Sequence, residues 1–185
     1  SGGKVRSYAD NAAPFRNEVY AIAEAPDGTL WVGTSYGLGK YNRSTDSFTW
    51  YTRAEGMSSA AAINIQFDEK GHVYIGTFNG GLNYYDGTTF IKTTMQDGLS
   101  SNTVTALHYS SFYKKLYMGN EFGINALYDG KVEPISIPEI ENASVISIHG
   151  YQDSLLLIGS GGAGVAIYNP ASRSKKMITT HHGLP

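Results

Sequence analysis

The sequence has no cysteine among its 185 residues, and neither sign of charge is in marked excess. Without cysteine the chain can form neither a disulfide framework nor a thiolate metal site. A net charge of −2 provides no electrostatic attraction to nucleic acid or to an anionic membrane. No hydrophobic run approaches the roughly 20 residues that a membrane-spanning helix needs. The fold must therefore be stabilised by packing and non-covalent bonds alone.

Glycine, with 22 residues, and tyrosine, with 14, are unusually frequent. Glycine favours turns and tyrosine favours strands, and no 3.6-residue apolar periodicity indicates a helix. The composition is therefore typical of an all-β protein. The first residue is serine, not methionine, so we expect a processed or excised piece of a longer protein, with any signal peptide or membrane anchor outside it.

A segment of two short strands around a glycine-rich turn occurs four times. The copies align on the glycine that ends the first of these strands, and successive copies are 43, 43 and 40 residues apart. The copies are LWVGTSYGLGKYN at 30–42, VYIGTFNGGLNYYD at 73–86, LYMGNEFGINALYD at 116–129 and LLIGSGGAGVAIYN at 156–169. A repeat of this period is typical of a propeller or a solenoid.

Each repeat predicts four antiparallel strands joined as a meander. An apolar inner strand precedes the repeated segment, and turns such as Asp27-Gly28, Lys70-Gly71 and Gln152-Asp153 join the two. An outer strand follows the segment. The predicted inner strands are 19–22, 62–65, 104–107 and 145–148, and the predicted outer strands are 48–52, 90–94, 132–137 and 176–180.

Runs such as 30–32 and 155–158 are apolar at consecutive positions, which indicates sheets that are covered on both faces. In a β-propeller every blade lies between two others. We therefore predict a β-propeller built of four-stranded antiparallel blades. About four blades are present, at residues 19–53, 62–94, 104–137 and 145–180.

Residues 1–18 are assigned to the outer strand of a preceding blade and its loop: 4–8 match the strand, and NAAPFRN at 11–17 matches the loop after it. The chain then has five predicted outer strands for four inner ones, and its end blades would present uncovered surfaces. We expect a part of a larger propeller, completed by further blades or by a second copy of the chain. A compact four-bladed ring or a paired assembly is the alternative.

The repeat has one order: inner strand, Asp-Gly turn, LWVGT, GLGKYN, aromatic-led outer strand and GLSS. This order resembles the two-component regulator propeller repeat. The best matches lie at 25–42 and 96–107, whereas PEIENAS at 138–144 and Leu157 depart from the pattern. In that family such repeats form the periplasmic sensor region of hybrid two-component histidine kinases, and many members respond to oligosaccharides. The resemblance implies a periplasmic, extracytoplasmic input module of an inner-membrane protein, with its kinase and membrane span outside this segment.

The loops after the second and fourth strands of a meander lie on the same face of a propeller. The second-strand loops carry aromatic rings beside amides and a carboxylate, which suits a polar, ring-shaped ligand such as a sugar. The alternative for each residue is that it completes a turn and packs the rim. The candidate ligand-binding residues are Tyr36, Phe78, Asn79, Asn120, Glu121 and Phe122.

Trp31, Tyr74 and Tyr117 occupy one equivalent strand position, so we interpret them as core between blades and not as sugar-stacking rings. The glycine run at 159–164 predicts a tight hairpin, because a strand and not a helix follows it, unlike a phosphate-binding loop.

The histidines provide no readable metal or catalytic site. His181 and His182 have no nearby carboxylate, and we interpret them as loop residues. His72, His108 and His149 are assigned to different blade positions, without a common cluster. The sequence thus predicts no metal and no cofactor.

We interpret the segment as a non-catalytic module that senses a ligand or relays a signal, with an oligosaccharide as the expected ligand and no nucleic-acid partner. A protein-interaction scaffold is the first alternative, because the propeller fold hosts many functions. A polysaccharide-cleaving enzyme is the second. Glu121 has no paired carboxylate on an equivalent loop, whereas glycoside hydrolysis usually needs two.

Overall fold

The structure is a computed structural model that describes residues 7, 8 and 18–184. Within these residues, sixteen strands form four antiparallel sheets, and each sheet keeps its strands in chain order. The first sheet contains β1 (Val19–Glu24), β2 (Leu30–Thr34), β3 (Leu38–Asn42) and β4 (Ser47–Tyr51), and the second contains β5 (Ala62–Phe67), β6 (Val73–Thr77), β7 (Leu82–Tyr85) and β8 (Phe90–Thr93). The third sheet contains β9 (Val104–Ser110), β10 (Lys115–Asn120), β11 (Gly123–Tyr128) and β12 (Lys131–Ile135). The fourth contains β13 (Val145–Tyr151), β14 (Leu155–Ser160), β15 (Gly164–Tyr168) and β16 (Lys175–Ile178).

The inner strands are longer than the sequence predicts, and the outer strands end earlier. β9 stays paired with β10 as far as Ser110, opposite Lys115, because the hairpin turn begins only there. The outer strand β4 ends at Tyr51, where Thr52 begins a capped turn. Pro134, which cannot donate a ladder hydrogen bond, lies in the outer edge strand β12, where proline is tolerated.

The four sheets pack face to face in chain order, as propeller blades do. The inner strands β1, β5, β9 and β13 contact one another in succession. A hydrophobic cluster lies between each pair of neighbouring blades. The predicted β-propeller fold is therefore confirmed for the described part of the chain.

The repeated glycine is explained by the approach of the next blade. A β-carbon at Gly33 would lie 2.4 Å from the carbonyl oxygen of Ala62, and one at Gly76 would lie 2.6 Å from that of Val104. These carbonyls belong to the inner strands of the following blades. The glycine therefore lets neighbouring blades meet at backbone contact.

The recurring aromatic residues lie between blades, as predicted. Trp31 is buried, stacks on Tyr51 with ring centroids 5.9 Å apart, and meets Tyr85 of the next blade edge-on. Tyr117 is also buried. Tyr74 is half-buried and stacks on Tyr109 of the third blade. The interpretation of these rings as inter-blade core is confirmed.

The loops after three of the outer strands share a capped turn that the sequence analysis treated as plain loop. The backbone amide of Thr52 donates to Glu55, and that of Thr94 donates to Asp97. Thr179 donates in the same way to the imidazole Nδ1 of His182, so His182 has a structural role in its turn. A threonine followed three residues later by an acidic residue is the capping-box signal that was available in the sequence.

The glycine run at 159–164 and the N-terminal residues 1–18 were also assigned from the sequence. The glycine run forms the β14–β15 hairpin, as predicted, with Ser160 opposite Gly164. The outer strand predicted at residues 4–8 and the loop after it lie outside the described residues, apart from Ser7, Tyr8 and Glu18. In the part of the chain that the structure describes, no helix is long and apolar enough to cross a membrane.

Candidate ligand-binding surface

The loops after the second strands and those after the fourth strands meet on one face of the propeller, which we call the rim face. The hydroxyl of Ser59, in the loop after β4, donates to the carbonyl of Phe78, in the loop after β6. The amide of Gly81 donates to the carbonyl of Asn102 at 2.7 Å. The second-strand loop of the second blade is thus held both by the loop that enters its own blade and by the loop that enters the next one.

Three aromatic rings of the predicted site are exposed on the rim face. The exposed fractions are 37% for Tyr36, 53% for Phe78 and 56% for Phe122. They lie in the second-strand loops of three successive blades. Exposed rings in the corresponding loops of neighbouring blades form a surface suited to stacking against a partner.

Two polar residues of the predicted site are exposed but held in place. Asn79 has a left-handed backbone with φ of 61°. The buried Thr103 hydroxyl donates to its side-chain oxygen at 3.2 Å. Glu121 accepts a 3.0 Å hydrogen bond from the hydroxyl of Ser101, which is also buried. Fixed polar groups of this kind present a defined hydrogen-bonding pattern to a ligand.

The sixth predicted residue, Asn120, does not reach the rim face, because its side chain is fully buried. Its amide nitrogen donates to Asn125 at 2.9 Å, and its oxygen accepts from the backbone amide of Phe122. Thr34, Thr77 and Ser160 hold their own turns from the same position after the repeated glycine. That equivalence was readable in the sequence and marks Asn120 as a turn residue.

The inner strands bring together polar residues that the sequence analysis did not connect. Asn64, Gln66, His108, Ser147 and His149 line a groove of about 230 Å³ between the inner strands. His108 pairs across its blade with Tyr117, and His149 pairs with Leu157. The two histidines therefore occupy one equivalent position in neighbouring blades, and the assignment of different positions was wrong.

Burial lowers the pKa of His108, and the nearby His149 lowers it further. His108 is half-buried, so protonation would place a charge where water is scarce. No cluster of three or more histidine, aspartate or glutamate side chains that could hold a metal occurs in the described ranges. What the two histidines contribute is a polar wall to the groove, in which the His108 imidazole resists protonation.

The fold and the rim face define the class of the protein as a β-propeller segment with an exposed aromatic surface. Residues 15–36 match the model of the two component regulator propeller family. This match confirms the resemblance predicted from the sequence. No curated protein sequence matches the chain at a significant level.

Solved structures of similar fold include two extracellular domains from B. thetaiotaomicron. That of the putative hybrid two component system BT3049 has a TM-score of 0.76 and 23% identity, over 89% of this chain and 25% of that one. That of the putative one component system BT4673 has a TM-score of 0.79 and 23% identity, over 94% of this chain and 23% of that one. The chain thus spans about a quarter of each of these domains.

A third similar structure is a selenomethionine-substituted virginiamycin B lyase from Staphylococcus aureus. It has a TM-score of 0.75 and 15% identity, over 96% of this chain and 60% of that one. At these identities the structural likeness establishes the fold and leaves the function to be argued from the site.

Proposed function

We propose that this chain is a non-catalytic part of the extracytoplasmic input region of a two-component regulator, and that its rim face binds the ligand or partner that is sensed. The observation that carries the proposal is the set of exposed rings of Tyr36, Phe78 and Phe122, one on each of three blades. The family repeat at 15–36 and the extracellular domains of similar fold support the regulatory assignment and the extracytoplasmic location.

The chemistry of the rim face favours an oligosaccharide. Aromatic rings offer faces for the apolar side of a sugar, and Asn79 and Glu121 offer hydrogen bonds to its hydroxyl groups. Both polar residues are held by neighbouring loops, so little conformational freedom is lost on binding. Binding transmits a signal only if one arrangement of the regulator binds the ligand better than another.

Titration calorimetry against a panel of oligosaccharides tests this proposal. We expect heat of binding for at least one sugar, and we expect the double variant Phe78→Ala, Phe122→Ala to weaken it at least about tenfold, equivalent to roughly 1.4 kcal/mol. The matched control is Phe112→Ala. Phe112 is equally exposed but lies in a loop after a first strand, on the opposite face.

Absence of heat across the panel would contradict the oligosaccharide proposal and favour the scaffold alternative. In that case the same double variant is expected to lose binding to a protein partner. Release of reducing ends from a polysaccharide by the wild-type chain would contradict the non-catalytic assignment.

A further inference from the structure

At three equivalent cross-strand pairs, the interface between the third and fourth blades carries smaller side chains than that between the first and second. The cross-strand pairs Trp31–Lys40, Leu38–Tyr51 and Tyr85–Phe90 fill the first interface. The equivalent pairs in the later interface are Tyr117–Ala126, Ile124–Ile135 and Tyr168–Lys175. Where the first interface has Lys40, Tyr51 and Phe90, the later interface has Ala126, Ile135 and Lys175.

These smaller or redirected side chains leave a cavity of about 210 Å³. Lys175 does not fill it, because its ammonium group is paired with Glu139 in the loop after β12. Ala126, Pro134, Ile135, Tyr168 and Pro170 contribute to the cavity wall. They form an apolar patch in a wall that also contains Lys115, Glu133, Ser136 and Arg173, which are polar or charged.

Tyr117 lines this cavity and is 1% exposed. Its hydroxyl is buried and has no hydrogen-bond partner among the described residues. Burial raises the pKa of Tyr117 well above its usual range, so the phenol stays a neutral donor at physiological pH. A buried donor without a partner costs free energy, and an acceptor on a bound molecule would remove that cost.

Positive charge exceeds negative charge around the cavity. Lys115, Arg173 and Glu133 line it, which gives two cations against one anion. Lys115 is held over the ring of Tyr128, with its nitrogen 5.1 Å from the ring centroid. An anion with an apolar body matches both the charge and the wall.

We propose that the cavity between the third and fourth blades is a second ligand site, which binds a small organic carboxylate. Its carboxylate accepts the Tyr117 hydroxyl hydrogen bond and faces Arg173, and its apolar body packs against Pro134 and Ile135. The site is separate from the rim face, so this proposal does not depend on sugar binding at the rim face.

The experiment titrates the wild-type chain with isobutyrate, followed by amide chemical shifts and melting temperature. Isobutylamine and isobutanol have the same body with a positive charge or none, and L-valine adds an α-amino group to the carboxylate. We expect isobutyrate to raise the melting temperature and to shift the amide resonances of the non-proline residues in 115–117, 133–136 and 168–173. L-Valine identifies the source: binding comparable to isobutyrate indicates amino acids, and no binding indicates simple acids.

Three variants test the named groups. Tyr117→Phe removes only the hydroxyl and should weaken isobutyrate binding by about tenfold to a hundredfold, while leaving the ligand-free melting temperature equal or higher. The matched control Tyr74→Phe makes the same change at the equivalent position of the second blade and should leave binding unchanged. Arg173→Gln, at an exposed site, should also weaken binding, and Ala126→Leu should abolish it by filling the cavity.

Equal effects of isobutyrate and isobutylamine, or no effect of either carboxylate, would overturn the proposal. A Tyr117→Phe variant that melts lower and binds isobutyrate as well as wild type would also overturn it, because the hydroxyl would then serve the fold. Chemical shifts confined to 78–81 and 120–123 would place the carboxylate on the rim face and overturn the site.

Discussion

Gly76 lies where the second blade meets the inner strand of the third. A β-carbon there would lie 2.6 Å from the carbonyl oxygen of Val104, which belongs to rigid backbone. We expect Gly76→Ala to lower the free energy of unfolding by about 1–3 kcal/mol, as overpacking does, measured by urea denaturation. The control Gly161→Ala adds the same methyl where the nearest atom is 3.4 Å away, and should change stability by less than about 0.5 kcal/mol. Equal losses in the two variants would contradict this account.

Trp31 fills the interface between the first two blades, in contact with Tyr51, Phe67 and Tyr85. We expect Trp31→Ala to lower the free energy of unfolding by about 3–5 kcal/mol through loss of buried area and formation of a cavity. Thermal melting followed by circular dichroism measures the effect. Trp50→Ala is the control, since Trp50 is partly exposed and should cost less. A folded Trp31→Ala variant that melts at the wild-type temperature would show that the ring does not hold the blades together.

At the scale of elements, a buried asparagine connects consecutive blades. Asn83, in β7, accepts from the backbone amide of Ser58 at 2.9 Å and donates to its hydroxyl at 2.6 Å. Asn125, in β11, accepts from the amide of Ser100 in the same way. Each asparagine therefore holds the loop that leaves the preceding blade.

Removing this connection should loosen one loop. Asn83→Ala leaves the Ser58 amide and hydroxyl without their partner, which is expected to cost about 1–3 kcal/mol. Hydrogen exchange at the Ser58 amide should speed up by the corresponding factor, and the urea midpoint should fall. Asn64→Ala is the control within the same blade, because Asn64 makes a single 3.4 Å hydrogen bond. Unchanged exchange at Ser58 would mean that the loop is held by other contacts.

The same connection explains a departure in the third repeat. In β15 the equivalent position is Ala166, opposite Ile158, just as Asn83 lies opposite Ile75. The loop entering that blade is PEIENAS, which lacks the Gly-X-Ser pattern of the two earlier loops. The fourth blade therefore lacks both the asparagine and the Gly-X-Ser loop, which are hydrogen-bond partners in the second and third blades. The changed loop is visible in the sequence, whereas its partner position in the next blade is visible only in the structure.

At the scale of the whole molecule, blade packing should respond to pH through His108. Its folded-state pKa lies below the ordinary value of 6.5 because of burial and the neighbouring His149. As pH falls below about 6.5, the unfolded chain takes up a proton that the folded chain resists, so stability present above this pH is lost. We expect the urea midpoint to fall between pH 7 and 5.5.

The variant His108→Gln keeps a polar side chain and removes the titration. It should flatten the decline in the urea midpoint over the same pH range. A decline of equal slope in wild type and His108→Gln would assign the pH dependence to other groups.

Much of the molecule could be predicted from its sequence. The interval between the repeated glycines predicts the blade unit. The aromatic residue two positions before each glycine predicts the core between blades, as the buried Trp31 and Tyr117 confirm. Of the six predicted rim residues, five are exposed, and their role in binding stays a prediction. Asn120 was predicted on the rim face because it is an amide near a loop. Its position directly after the repeated glycine indicates the buried turn residue that the structure shows.

Pairing within a blade joins residues that are close along the chain, so strand order, hairpins and the repeated blade follow from the sequence by itself. Contacts between blades, or between a blade and the loop that enters it, join residues about 25 to 40 positions apart. Their result depends on how two different sets of side chains fill one space. Only the tertiary structure therefore decided that Asn83 holds Ser58, that His108 lies beside His149, and that the Tyr117 hydroxyl has no hydrogen-bond partner among the described residues.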